Sequence, residues 1–137
     1  MTDAELIKQA IEAREYSYSP YSKFSVGAAL LTKEGKVYSG CNIENAGYTP
    51  TICAERTAFF KAISGGEKNF KAIAIVGSPH GDIMDYAPPC GVCRQVMMEF
   101  CDPESFRIIM AMSEETYMSK TLGELLPYGF GPENLEA

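Results

Sequence analysis

The chain of 137 residues contains a single histidine, His80, and no cluster of lysine or arginine anywhere along it. Acidic residues outnumber basic ones, 18 to 12, which leaves a net charge of -6. A protein that grips DNA or RNA must set cations against the phosphates, so a nucleic-acid partner is disfavoured and a small neutral substrate is expected. No apolar run reaches the length needed to cross a bilayer, so no membrane partner is expected either. The opening Met1-Thr2-Asp3-Ala4-Glu5 has neither the cationic start nor the apolar stretch of a signal peptide, which predicts a cytoplasmic protein. Internal repeats, low-complexity tracts and linkers are also missing, so residues 1–137 are expected to form one domain.

A hydrophobic fraction of 46% and a charged fraction of 22% are ordinary for a globular chain and name no function. Five cysteines, an odd number in a chain with no export signal, point to thiols or metal ligands rather than disulfides. Residues 3–16 repeat apolar side chains at a three-to-four spacing (Leu6, Ile7, Ala10, Ile11), which predicts a helix. Phe24–Leu31 and Lys36–Cys41 read as strands joined through Lys33-Glu34-Gly35, and residues 42–51 as a loop. A second helix is expected from Thr51 to Ser64, with Cys53 in its opening turn, before Gly65-Gly66 stops it. Ala72–Val76 suits a buried strand, the polar Gly77–Pro89 a loop, and Cys90–Cys101 a third helix with Val92, Val96, Met97 and Phe100 as its apolar stripe. Arg107–Met112 reads as a strand and Thr121–Leu126 as a short last helix. This order predicts a sheet sandwiched by helices.

Cys90-Gly91-Val92-Cys93 at a helix start aims two sulfurs at one point. Alone, that spacing serves redox sites, structural zinc and catalytic zinc alike. A structural zinc closes its tetrahedron with four protein ligands, yet the third candidate here is Cys53, and Cys41, Cys101 and His80 lack matching spacing. Three protein ligands leave a position for water, the arrangement of catalytic Zn2+, and such a site needs a proton carrier. Glu55, two residues past Cys53, sits within reach of that water as general base and acid. Three thiolates overcompensate a dication, so the positive ends of two helices and the guanidinium of Arg56 are expected to offset them, with Arg94 as a second candidate. Cys53-Ala54-Glu55 with Pro89-Cys90-Gly91-Val92-Cys93 is the pattern of zinc deaminases in its three-cysteine form.

The chain resembles the small, homotetrameric type of cytidine deaminase from its first helix nearly to its end. The likeness lies in Ser19-Pro20-Tyr21-Ser22-Lys23-Phe24-Ser25-Val26-Gly27-Ala28, Gly40-Cys41-Asn42-Ile43-Glu44-Asn45, Cys53-Ala54-Glu55-Arg56-Thr57-Ala58, Pro89-Cys90-Gly91-Val92-Cys93-Arg94-Gln95, and Leu125-Leu126-Pro127 with Phe130-Gly131-Pro132. It implies an α/β fold, a three-layer α-β-α sandwich around a mixed sheet of about five strands. It also implies that Asn42 and Glu44 hold the ribose hydroxyls, that Phe24 packs near the pyrimidine with Glu55 at its amidine edge, and that Phe130 is lent to a neighbouring subunit's site in a homotetramer. The implied reaction is hydrolysis of cytidine and 2'-deoxycytidine to the uridines with release of ammonia, a step of pyrimidine salvage. An amide and a carboxylate two residues apart on an extended segment face one way and suit a diol.

Plainer readings stand beside these. Glu55 in isolation would be a first-turn acid serving the helix dipole, Asn42 and Glu44 loop residues, and Phe24 and Phe130 packing aromatics. Cys41 and Cys101 read as small buried hydrophobes, His80 as a surface loop residue, and Met97, Met98, Met110 and Met112 as core filler. The competing functions are a deaminase of another cytosine-bearing molecule, such as a nucleoside antibiotic or a polynucleotide, and a non-enzymatic module whose zinc only staples the fold. The last demands a fourth protein ligand.

Overall fold

A computed structural model describes residues 1–135. Helix α1 (Asp3–Arg14) starts where the Thr2 hydroxyl accepts the Glu5 N–H at 3.1 Å, and it buries Leu6, Ile7, Ala10 and Ala13 along one face. Strands β1 (Phe24–Thr32) and β2 (Val37–Cys41) form the expected hairpin, and Gly35 at its turn takes φ +96°, a conformation that favours glycine. Helix α2 (Ala54–Ser64), strand β3 (Phe70–Pro79), helix α3 (Gly91–Phe100), strands β4 (Arg107–Ala111) and β5 (Tyr117–Thr121) and the short α4 (Leu122–Leu125) follow. The strand order is β2-β1-β3-β4-β5, with β3 and β4 parallel and the other neighbours antiparallel.

The strands alternate between two cores, as the two-residue period of a pleated sheet requires. Ala28 and Leu30 of β1, Ile73 and Ile75 of β3, and Ile108 and Met110 of β4 face α2 and α3. Their neighbours Ala29, Leu31, Ala72, Ala74, Val76, Ile109 and Ala111 face α1. The result is the three-layer α-β-α sandwich. On the first face Phe59 stacks edge-on to Phe70, with centroids 5.2 Å apart, and leans on Phe106 at 6.0 Å. Full burial of such side chains stabilises by roughly 1.5 to 3 kcal/mol each.

Two glycines let the helices sit directly on the hairpin. A Cβ at Gly27 would lie 2.1 Å from the Ala10 carbonyl oxygen of α1, and one at Gly40 would lie 2.6 Å from the Ala58 nitrogen of α2. Opposite faces of the hairpin thus carry opposite layers, and the seat at Gly40 fixes where the first turn of α2 points.

Several boundaries differ from the sequence reading. The third strand runs from Phe70 to Pro79, past the expected end at Val76, because Gly77, Ser78 and Pro79 continue the ladder against Val26, Ser25 and Phe24. Strand β5 lies where no strand was read from the pattern: it is an edge strand with exposed side chains that pairs along β4. Cys53 is not in the first turn of α2 but caps it, and the last helix is shortened to Leu122–Leu125 behind a Thr121–Glu124 capping box.

Candidate active site

Cys53 caps α2 and Cys90 caps α3, both in extended conformation, while Cys93 occupies the third position of α3. Cys90 Sγ accepts the Cys93 N–H at 3.4 Å, as a capping side chain does, which folds the C-x-x-C around its own helix end. Sγ of Cys53 and Sγ of Cys90 stand 3.7 Å apart, and the three sulfurs lie within 4.8 Å of one another. Tetrahedral zinc at about 2.3 Å from each sulfur sets its ligands about 3.8 Å apart, so this donor set fits zinc in both chemistry and spacing. Among the described residues it is the only group of three or more Cys, His, Asp or Glu ligand atoms this close, and no fourth protein ligand joins it.

The electrostatics are those of thiols waiting for a cation. The Cys53 thiol is lowered to about 5, first by hydrogen bonding with Cys93 and then by Arg56, whose terminal nitrogen donates to Cys53 Sγ at 3.3 Å. Cys93, sharing that proton and buried, is pushed up. Arg56 also lies against Cys93, and its buried Nε has no hydrogen-bond partner. Arg94 does not reach a sulfur: it donates to the carbonyls of Pro89 at 2.7 Å and Leu125 at 2.6 Å, tying the cysteine loop to the end of α4.

Glu55, in the first turn of α2, is only 4% exposed. Burial pushes its carboxyl up to about 7, and the neighbouring Cys53 thiolate adds to the shift while its own backbone N–H, Arg56 and Cys93 oppose it. A carboxyl tuned to neutrality both takes and returns protons there, as a general acid-base group must.

One cavity of about 430 Å³ is lined by Phe24, Asn42, Glu44, Cys53, Glu55 and Cys90, with Val26, Ile75 and Tyr86 supplying apolar walls. Asn42 stands at a crossing of strands: its Oδ1 accepts the Val26 N–H at 2.9 Å, and its Nδ2 donates to the Phe24 carbonyl at 2.8 Å. One carboxylate oxygen of Glu44 accepts the N–H groups of Tyr21 and Ser22 at 2.9 and 3.1 Å, and the other accepts the Ser22 hydroxyl. The Ser22 hydroxyl foremost, then these backbone donors, hold the Glu44 carboxyl below its ordinary value. Phe130 is not brought to this cavity. It is 57% exposed, and its carbonyl accepts from Gln95 at 2.7 Å. His80 lies away from the sulfurs, with Nε2 2.8 Å from Ser19 Oγ.

Sequence reasoning missed Ser22 as the clamp on Glu44 and Gln95 as the tether of the segment carrying Phe130. Both lie inside motifs already singled out, Ser19-Pro20-Tyr21-Ser22 and Cys93-Arg94-Gln95, so the signal was present without its contacts.

The family model described as the cytidine and deoxycytidylate deaminase zinc-binding region matches residues 1–110. A cytidine deaminase of Sporosarcina psychrophila is 48% identical over 131 residues, covering 96% of this chain and 93% of its own. That of Halalkalibacterium halodurans is 50% identical over 130 residues, covering 95% of both. The crystal structure of cytidine deaminase from Burkholderia pseudomallei superposes with a TM-score of 0.84 at 47% identity, covering 95% of this chain and 100% of that one.

Proposed function

We propose the function in detail from a premise that is established: this chain belongs to the cytidine and deoxycytidylate deaminase family, and it is a zinc-dependent cytidine deaminase. The observation that carries the finer reading is the shared cavity, whose lining brings Cys53 and Cys90 of the three-cysteine cluster together with Glu55, Asn42 and Glu44. We assign Cys53, Cys90 and Cys93 as the zinc ligands, Glu55 as the proton carrier, Arg56 as the residue offsetting thiolate charge, and Phe24, Asn42 and Glu44 as substrate contacts. The substrates are cytidine and 2'-deoxycytidine and the products the corresponding uridines and ammonia, a reaction that serves pyrimidine salvage.

Bound zinc supplies Lewis acidity that makes a water nucleophilic near neutral pH. Glu55 takes the proton this water loses, delivers it to the ring nitrogen beside the amino-bearing carbon, and carries the second proton to the departing amine, so that water and amidine become carbonyl and ammonia. Glu44, an acceptor held rigidly by Tyr21 and Ser22, receives a hydrogen bond from a sugar hydroxyl. Phe24, on the cavity wall, packs against the base.

Phe130 is read as reaching the cavity of a second copy in a homotetramer, a reading supported by its exposure and by the neighbouring Tyr128, which is fully exposed. One sheet carrying both cores supports residues 1–137 as one domain, and five free thiols suit the reducing cytoplasm. Loss of cytidine absorbance with matching ammonia release tests the function directly, with deoxycytidine and a cytosine antibiotic as competitors. A zinc-loaded protein inert toward both nucleosides contradicts it.

A further inference from the structure

A chain of hydroxyls runs from the surface to Asn42 by groups that no step above has used. Ser17 Oγ lies 2.5 Å from Asn42 Oδ1 and 3.2 Å from Ser19 Oγ. Ser19 Oγ in turn lies 3.1 Å from Ser25 Oγ and 2.8 Å from His80 Nε2. Ser19 and Ser25 are buried, while His80 stands on the exposed side, at the end of β3, with its N–H on the Lys23 carbonyl at 2.9 Å.

Proton counting fixes the inner end of this chain. An amide oxygen cannot donate, so the single Ser17 proton goes to Asn42 Oδ1, and the 3.2 Å contact with Ser19, in which Ser17 would be the donor, is left without a proton. At the inner end Oδ1 receives both Ser17 and the Val26 N–H, which fills its two lone pairs. Nδ2 gives one hydrogen to the Phe24 carbonyl and keeps one. Asn42 therefore shows the cavity a donor and no acceptor. Glu44 beside it is acceptor only, so the pair fits a group that accepts on one side and donates on the other, as a hydroxyl does.

We infer that Ser17 is a positioning residue that holds the Asn42 amide in this donor-only state and so sets the enzyme's demand for a sugar hydroxyl. The inference rests on the reading that Asn42 and Glu44 hold the sugar.

The test compares cytidine with 2',3'-dideoxycytidine, which has no hydroxyl for Asn42 to meet. Ser17→Ala raises the KM for cytidine about fivefold, the effect of one neutral hydrogen bond, with kcat within twofold and kcat/KM for the dideoxynucleoside unchanged. Ser17→Thr restores the hydroxyl and the KM. In an Asn42→Ala background Ser17→Ala adds nothing. The inference is overturned if Ser17→Ala weakens both substrates equally and Thr does not rescue, or if cytidine KM is unmoved while Asn42→Ala raises it. An Asn42→Ala variant with normal cytidine KM is a different result: it removes the sugar-binding reading, and the role of Ser17 with it.

Discussion

Two groups of residues around the cavity, the sulfur end and the proposed sugar end, are built on opposite principles. At the sulfur end the reactive groups partner one another in a tight cluster: three thiols crowd within 4.8 Å, Arg56 donates to Cys53 Sγ, and Glu55 is buried with its carboxyl pushed up. At the sugar end the polar groups are held by the protein: Glu44 already takes three hydrogen bonds and Asn42 makes three. Buried titratable groups that perturb one another can bind a cation or move a proton, at a cost in stability; groups held by fixed backbone and hydroxyl partners are rigid and recognise shape. The difference suits the proposed division, with chemistry at the sulfurs and recognition at Asn42 and Glu44.

The contrast is broken most severely by Cys90→Ala. Loss of one of three ligands is expected to remove bound zinc, turnover and the stabilisation that metal gives the folded state, as read by metal analysis, assay and thermal melting. Retained stoichiometric zinc would show that the cluster is not the metal centre.

In the metal-free protein Glu55→Gln should stabilise the fold, and only at higher pH. The folded carboxyl titrates near 7, above its ordinary 4.5, so the folded state holds the proton more tightly and its stability falls as pH rises between those values. The variant is expected to gain roughly 3 kcal/mol over wild type at pH 8 and little at pH 4, measured by denaturant unfolding with chelator present. Equal stability at both pH values would remove the buried, ionisable carboxyl from the account.

At the other end Glu44→Gln keeps the shape but replaces a charged acceptor, and should raise the KM for cytidine about tenfold while leaving zinc content and melting temperature near wild type. A fall in kcat with KM unchanged would erase the division between the ends.

The smallest effect lies outside the cavity. Asp3 and Arg107 form a two-pronged pair at 2.8 and 3.0 Å that pins α1 to β4, and Arg107 holds the Asp3 carboxyl below its ordinary value. Its contribution is present above the ordinary carboxylate value and is lost as pH falls through the depressed one. Asp3→Asn should therefore cost about 0.5 to 1 kcal/mol at pH 7, less under strongly acidic conditions, with kcat and KM untouched.

The same contrast explains what the sequence made legible. The sulfur end is local: a spacing of three at a helix start brings Cys90 and Cys93 together whatever the rest of the chain does, and Glu55 follows Cys53 by two residues. The helices and the hairpin were legible because their apolar periods are strong. The sugar end is not local, since Ser22 meets Glu44 only through the path of the loop before β1, and Ser17 meets Asn42 only across the sheet edge. Strand β5 escaped for a related reason, because its side chains are exposed and its only signal is the free edge of β4. The end of β3 escaped because Gly77 and Pro79 read as loop residues until β1 pairs with them. A Cβ on Gly77 would stand 3.0 Å from both Ala87 Cβ and Val26 Cγ2, so tight packing rather than a turn selects the glycine.

The division between the two ends is tested most directly by zinc content and cytidine turnover measured on the same preparation of Glu55→Ala. The account predicts zinc at the wild-type ratio and KM near wild type, with kcat lower by at least about a thousandfold, within the range for loss of a general acid-base group. Turnover near the wild-type rate in a zinc-loaded Glu55→Ala protein would contradict it.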